Sequence, residues 1–284
     1  MKKMTKLLSL VLAVLMMFSF AACSNKDGGG TNLDDYVQED EDDITFVTND
    51  KGQTFHFESI DSETVVLTKY EGPSAPHDVE IPETLNNKTV AAIGASAFYF
   101  CSAIQAVSIP ATVESIGEMA FAGCSSLTAV EIPSAVASIG ASAFARCTAL
   151  TEVTFAEESK LTSVERYTFE GCTALETVTI PAYIKTVGTG AFFGCASLTS
   201  VTVESNGENG VQVIGAQAFH NCESLASLTL PSTVVSIGDL AFHGCTDLYM
   251  DGVTCPAGSY AESYIRGLNL GETAPADPEE TPAA

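Results

Sequence analysis

Cysteine and histidine are the residue types in this chain that can carry redox, metal or nucleophilic chemistry, and their spacing decides what they do. Seven of the nine cysteines, Cys101, Cys124, Cys147, Cys172, Cys195, Cys222 and Cys245, each stand three residues after a phenylalanine. Redox and zinc chemistry call for pairs such as C-x-x-C, and no such pair is present. Thiols placed this regularly read instead as a stacked row of small apolar residues. Neighbours in such a row approach to about 5–6 Å at Cα, but parallel side-chain vectors make poor disulfide geometry. Cys255 stands where the row of strand residues has isoleucine, so burial in the last strand is expected for it. Cys23 alone is placed for different chemistry.

The four histidines give no metal set. His56 and His77 stand singly, while His220 and His243 occupy one position in consecutive units and should stack. That position is Tyr99, Ala122, Ala145, Glu170 and Phe193 elsewhere, the mark of a variable outward site. No G-x-S-x-G, H-E-x-x-H, P-loop or paired-carboxylate pattern appears. A Cys–His dyad is disfavoured because the cysteines belong to the repeat core. The expectation is a protein that is not an enzyme, with no catalytic residue, metal or cofactor.

What positions these residues is a repeat. Ile116–Pro133 reads IGEMAFAGCSSLTAVEIP, and the chain writes the same unit again from Ile139. Seven phenylalanines, Phe98, Phe121, Phe144, Phe169, Phe192, Phe219 and Phe242, are separated by 23, 23, 25, 23, 27 and 23 residues. A unit this short cannot bury its own apolar face and must stack on its neighbours as a solenoid. Val130 and Ile132 share one strand face, and Pro133 ends the strand because it has no amide to donate. Gly140 permits a turn, and Phe144 and Cys147 at helical spacing predict about one turn of helix per repeat.

These residues resemble the leucine-rich repeat of the BspA type, whose pattern is close to I-G-x-x-A-F-x-x-C-x-x-L-x-x-V-x-I-P. The resemblance covers roughly residues 55–270, and the segment from Gly258 to Tyr264 is similar to that family's terminal unit. It implies an α/β leucine-rich-repeat solenoid of stacked parallel short strands, with seven repeats in residues 90–253. A β-rich N-terminal cap is expected over 44–89 and a C-terminal cap over 254–270. The pattern departs locally. Val164-Glu165 replaces Ile-Gly, Phe155-Ala156 replaces Ile-Pro, and proline is also missing after Val203. The period lengthens at the last two sites, through residues 157–160 and 206–210. Insertions in a solenoid form surface loops that can carry recognition.

The remaining segments read as address and spacer. Lys2, Lys3 and Lys6 precede an apolar run to Phe20, the form of an export signal over residues 1–22. Phe20-Ala21-Ala22-Cys23 resembles a bacterial lipobox, which implies lipidation of Cys23 and a membrane anchor of two acyl chains. Residues 23–43 hold three glycines and a dense acidic run, expected to be an extended tether. Residues 271–284 form an acidic, proline-rich tail. With 36 acidic against 12 basic residues and a net charge of −24, the chain lacks the basic stripe that nucleic acid requires.

Recognition, if written in the repeats, lies at outward strand positions: Ser108, Glu131, Glu152, Thr154, Thr177, Thr179, Ser200, Thr202, Ser227 and Thr229. The resemblance implies a lipid-anchored, cell-surface protein that adheres to a protein or glycan partner. A scaffold lipoprotein of the envelope, presenting a rigid solenoid with no specific ligand, is the competing expectation.

Overall fold

Residues 45–268 and 270–271 are described in the computed structural model. The leader, Cys23, the tether, Ile44 and the tail beyond Gly271 lie outside them. β1 (Phe46–Thr48) and β2 (Thr54–Ser59) form an antiparallel hairpin laid along β3 (Thr64–Glu71). β4 (His77–Glu80) follows, then a small hairpin of β5 (Thr84–Leu85) and β6 (Lys88–Ile93), then β7 (Ile104–Ser108). Each later turn holds a two-residue strand and a second one, which is longer in all but the last turn. These are β8 (Ser115–Ile116) with β9 (Ala129–Ile132), β10 (Ser138–Ile139) with β11 (Glu152–Phe155), and β12 (Ser163–Val164) with β13 (Thr177–Ile180). They continue as β14 (Thr186–Val187) with β15 (Ser200–Val203), β16 (Val213–Ile214) with β17 (Ser227–Thr229), and β18 (Ser236–Ile237) with β19 (Val253–Thr254).

The result is a parallel-strand solenoid of eight turns. Short strands stack on short strands and long on long, so two ladders run along the coil. Between them lies one core that runs from Phe55 to Ile265. The repeat phenylalanines stack along it, with centroids 4.7 Å apart for Phe98–Phe121 and 5.2 Å for both Phe121–Phe144 and Phe192–Phe219. Burying one such ring stabilises by about 1.5–3 kcal/mol.

Two expectations are corrected. The first is the helical turn in each repeat: among the described residues there is one α-helix, α1 (Tyr260–Gly267). The Ala-Phe segments are paired tight turns. Residues two before and two after the phenylalanine sit in the left-handed region, as at Met119 (φ 54°) and Gly123 (φ 77°), or Ser142 (φ 56°) and Arg146 (φ 59°). Left-handed residues cannot continue a right-handed helix. Their cost is offset by a third ladder. Met119, Phe121 and Gly123 donate their amides to the carbonyls of Ala141, Ala143 and Ala145 in the next turn, at 3.0, 2.7 and 2.8 Å. Phenylalanine and cysteine still share the inward face, because a double turn keeps the three-residue spacing.

The second correction concerns the separate cap over 44–89. β3 pairs in parallel with β6, and β4 with β7, so residues 64–80 are the first turn of the solenoid itself. Tyr70 fills the phenylalanine slot and stacks on Phe98 at 4.9 Å. Only the hairpin of β1 and β2 is added outside the winding. Cys255 also departs from expectation, being half-buried rather than buried.

Both strand ladders lapse at one level, between β10 and β12 and between β11 and β13. The inserted residues 157–160 lie there. The turn ladder continues across the gap, with Ser142, Phe144 and Arg146 donating to the carbonyls of Arg166, Thr168 and Glu170 at 3.0, 2.9 and 2.6 Å. At the far end Ser259 caps α1 by accepting the Glu262 amide at 3.1 Å, and Tyr264 meets Phe242 edge-on at 6.5 Å.

Candidate functional site

The outward side chains of the long-strand ladder form one strip, because parallel register sets equivalent positions side by side at about 4.8 Å. Thr154 pairs with Glu131 and Glu152 with Ala129. Across the lapse, Thr177 pairs with Ser200 and Thr179 with Thr202, and Thr202 pairs with Thr229. The ten candidate residues thus fall into two groups. Ser108, Glu131, Glu152 and Thr154 lie before the lapse, and Thr177, Thr179, Ser200, Thr202, Ser227 and Thr229 after it. The structure adds members at both ends, with Glu80 beside Ser108 and Thr254 beside Thr229.

Hydroxyls on this side of the molecule do two different jobs. Thr128, Thr151 and Thr199 donate to carbonyls of the preceding turn at 3.0–3.1 Å, as part of the scaffold. Among the described residues, none of the strip hydroxyls makes an intramolecular hydrogen bond. The ion pairs of the described residues are His56 and Lys69 with Glu71 and Arg266 with Glu262, so the strip carboxylates are left unpaired.

The strip ends in a cleft that sequence reading did not find. It has a volume of about 700 Å³ and is open to solvent, with Thr202, Thr229 and Thr254 along one side. Glu204, Ser205 and Asn206 at the second insertion also line it, with Pro231, Pro256 and the half-buried Cys255. The cleft exists because β15 has no proline after Val203, and the chain bulges out instead of turning at once. Ser205 and Gly210 bridge the base of the bulge. Asn206 Oδ1 accepts the Asn209 amide at 2.9 Å, and Lys185 Nζ donates to Asn209 Oδ1 at 2.7 Å. The first inserted loop is braced by Tyr183, whose hydroxyl donates to the Ala156 carbonyl at 2.9 Å. The sequence signal for the cleft was the missing proline together with the longer period.

The repeat cysteines are scaffold. All eight described cysteines are free thiols. Cys124, Cys147, Cys172, Cys195, Cys222 and Cys245 each donate through Sγ to the carbonyl of the phenylalanine one turn back, at 3.2–3.3 Å. Burial pushes the thiols of Cys147, Cys195 and Cys245 up to about 12, which keeps them protonated as donors. Cys255 is also raised, chiefly by desolvation. The outward rings of Phe193, His220 and His243 stack with centroids 5.0 Å apart. Among the described residues no group of three or more His, Cys, Asp and Glu converges as a metal site requires.

A family model described as the BspA type leucine rich repeat region matches residues 91–209 and 205–254 with six copies, more than half of the chain. The chain belongs to the BspA-type leucine-rich repeat family. Among solved structures, the leucine-rich repeat protein TpLRR of T. pallidum is similar with a TM-score of 0.62 and 29% identity, over 78% of this chain and 97% of that one. A leucine-rich repeat protein from Eubacterium ventriosum matches with a TM-score of 0.60 and 26% identity, over 71% of this chain and 50% of its own length. No curated protein matches. BspA-type repeats are scaffolds of a kind that typically binds proteins.

Proposed function

We propose that this BspA-type protein is lipid-anchored through Cys23, exposed at the cell surface, and binds a protein or glycan partner on its long-strand face without catalysing a reaction. The observation that carries the reading is the division of labour among hydroxyls. Those on the flanks hold turns together, while those of the strip are uncommitted and lie beside unpaired carboxylates. Thr179, Thr202, Thr229 and Thr254 run in unbroken register into a cleft. Adhesion to host or matrix material is the role that fits a tethered scaffold of this kind.

The test is an array of immobilised glycans and matrix proteins probed with the full chain. A partner is expected whose binding is lost when Glu131, Glu152 and Thr179 are replaced together. A blank array overturns the binding role and favours a scaffold in the envelope. The anchor has a separate test. Cys23→Ala is expected to move the protein from the detergent phase to the aqueous phase, and unchanged partitioning sinks lipidation.

A further inference from the structure

We infer that the cleft beside the second inserted loop is the specificity site and takes an extended peptide segment carrying a basic side chain. The inference rests on the binding role proposed above and names its partner class. Three observations on the cleft lead there. Its lining holds one carboxylate, Glu204, and no lysine or arginine. Glu204 is exposed, and the sequence as a whole carries 36 acidic residues against 12 basic ones, so a cationic group is drawn in and an anionic one repelled. The rest of the lining joins apolar surface from Ala182 and Pro256, over buried Val203, Leu230 and Pro231, to the threonine hydroxyls of three successive strands. That mixture suits a peptide, whose amides need hydrogen-bond partners at intervals and whose side chains need apolar contact.

A glycan is the less suitable occupant. The lining contains no tyrosine, phenylalanine or histidine ring on which a sugar face would stack. The ring row of Phe193, His220 and His243 belongs to the turn ladder and is not part of the cleft.

The test uses the full chain and three pools of fluorescent, unstructured nonapeptides of net charge +2, 0 and −2, read by anisotropy. Cys255 supplies a local reporter, because it lines the cleft and is the one described cysteine that is not buried. The basic pool is expected to bind, to weaken as salt rises, and to slow alkylation of Cys255 located by peptide mapping. Glu204→Lys is expected to weaken binding at least tenfold. Glu208→Lys, on the same loop but outside the lining, is expected to change it less than threefold. Both residues are exposed, and circular dichroism will show that the variants fold. Equal loss from both variants, or binding that leaves Cys255 alkylation unchanged, overturns the inference in favour of diffuse charge attraction. Preferential capture of neutral glycans by the wild type, lost in Glu204→Lys, also overturns it. If the array finds a partner whose binding survives Glu204→Lys, the cleft is refuted while the binding role stands.

Discussion

Cys147 Sγ donates to the carbonyl oxygen of Phe121 at 3.3 Å, across the boundary between two turns of the coil. The same carbonyl accepts the Cys124 amide from its own turn at 3.2 Å. One buried oxygen is therefore satisfied from both sides, and the cysteine is there as a donor small enough to fit. Cys147→Ala leaves the oxygen with one partner and opens a small void. We expect a loss of about 1–2 kcal/mol, measured as a lower midpoint in urea with unchanged slope. Native Cys147 should also resist alkylating reagents until the chain unfolds.

Alkali should unfold this protein through the same thiols. Cys147 ionises near 9.0 when exposed and near 12 when folded, because burial disfavours the thiolate. Between those values the unfolded chain holds fewer protons than the folded one, so stability falls as pH rises. Below pH 9 the thiol is protonated in both states and adds no slope. The loss is about 1.4 kcal/mol per pH unit for each such thiol. Urea titrations at pH 8, 9.5 and 10.5 should show it, and Cys147→Ala should flatten the curve by one thiol's share.

The ring stack has its thinnest support where the strand ladders lapse. Phe144 and Phe169 are 5.6 Å apart there, and the turn ladder and the Cys172 thiol on the Phe144 carbonyl cross beside them without strand pairing. Phe144→Ala should cost about 3–5 kcal/mol and split unfolding into two transitions, since neighbouring turns are held by nearest-neighbour contacts. Phe192→Ala should cost a similar amount without splitting it. Equal cooperativity in the two variants would show that the lapse is not a weak plane.

Glycine in this fold answers two different needs, and alanine substitution should separate them. A Cβ on Gly140 would meet the backbone of Gly117 and Glu118, which cannot move aside. Gly140→Ala should cost more than about 3 kcal/mol or prevent folding. Gly171 has room beside Arg146 but a φ of 69°, so Gly171→Ala should cost only about 1–2 kcal/mol. Thermal melts of the two variants decide the matter. Glu165 stands in the Gly140 position of the next turn, and there the short-strand ladder is open.

The sequence displays the winding because the residues that build it recur: the phenylalanine and cysteine rows and the strand positions lie where their spacing places them. The turn segments were misread because a helix and a double tight turn share the three-residue interval. Only the φ angles at residues such as Met119 and Arg146 tell them apart. The first turn shows in the sequence only as the match of Val79-x-Ile81-Pro82 to Val107-x-Ile109-Pro110, because Tyr70 replaces phenylalanine and the hairpin of β5 and β6 stretches the distance to Phe98. The strip followed directly from strand alternation. The cleft did not, because Thr202, Thr229 and Thr254 meet Glu204 and Asn206 only once register is fixed across three turns.

The turn ladder has a polarity. Every bond between its turns runs from an amide to a carbonyl one turn further along the chain, from Tyr70 to Ala97 through to Phe219 and Ala241. The peptide dipoles along that wall therefore add instead of cancelling, as they do within a helix. On the short-strand wall the inter-turn bonds run the other way, as from Gly117 to Ile93 and from Gly140 to Ile116, so the two walls of the coil carry opposed dipoles that each added repeat extends together.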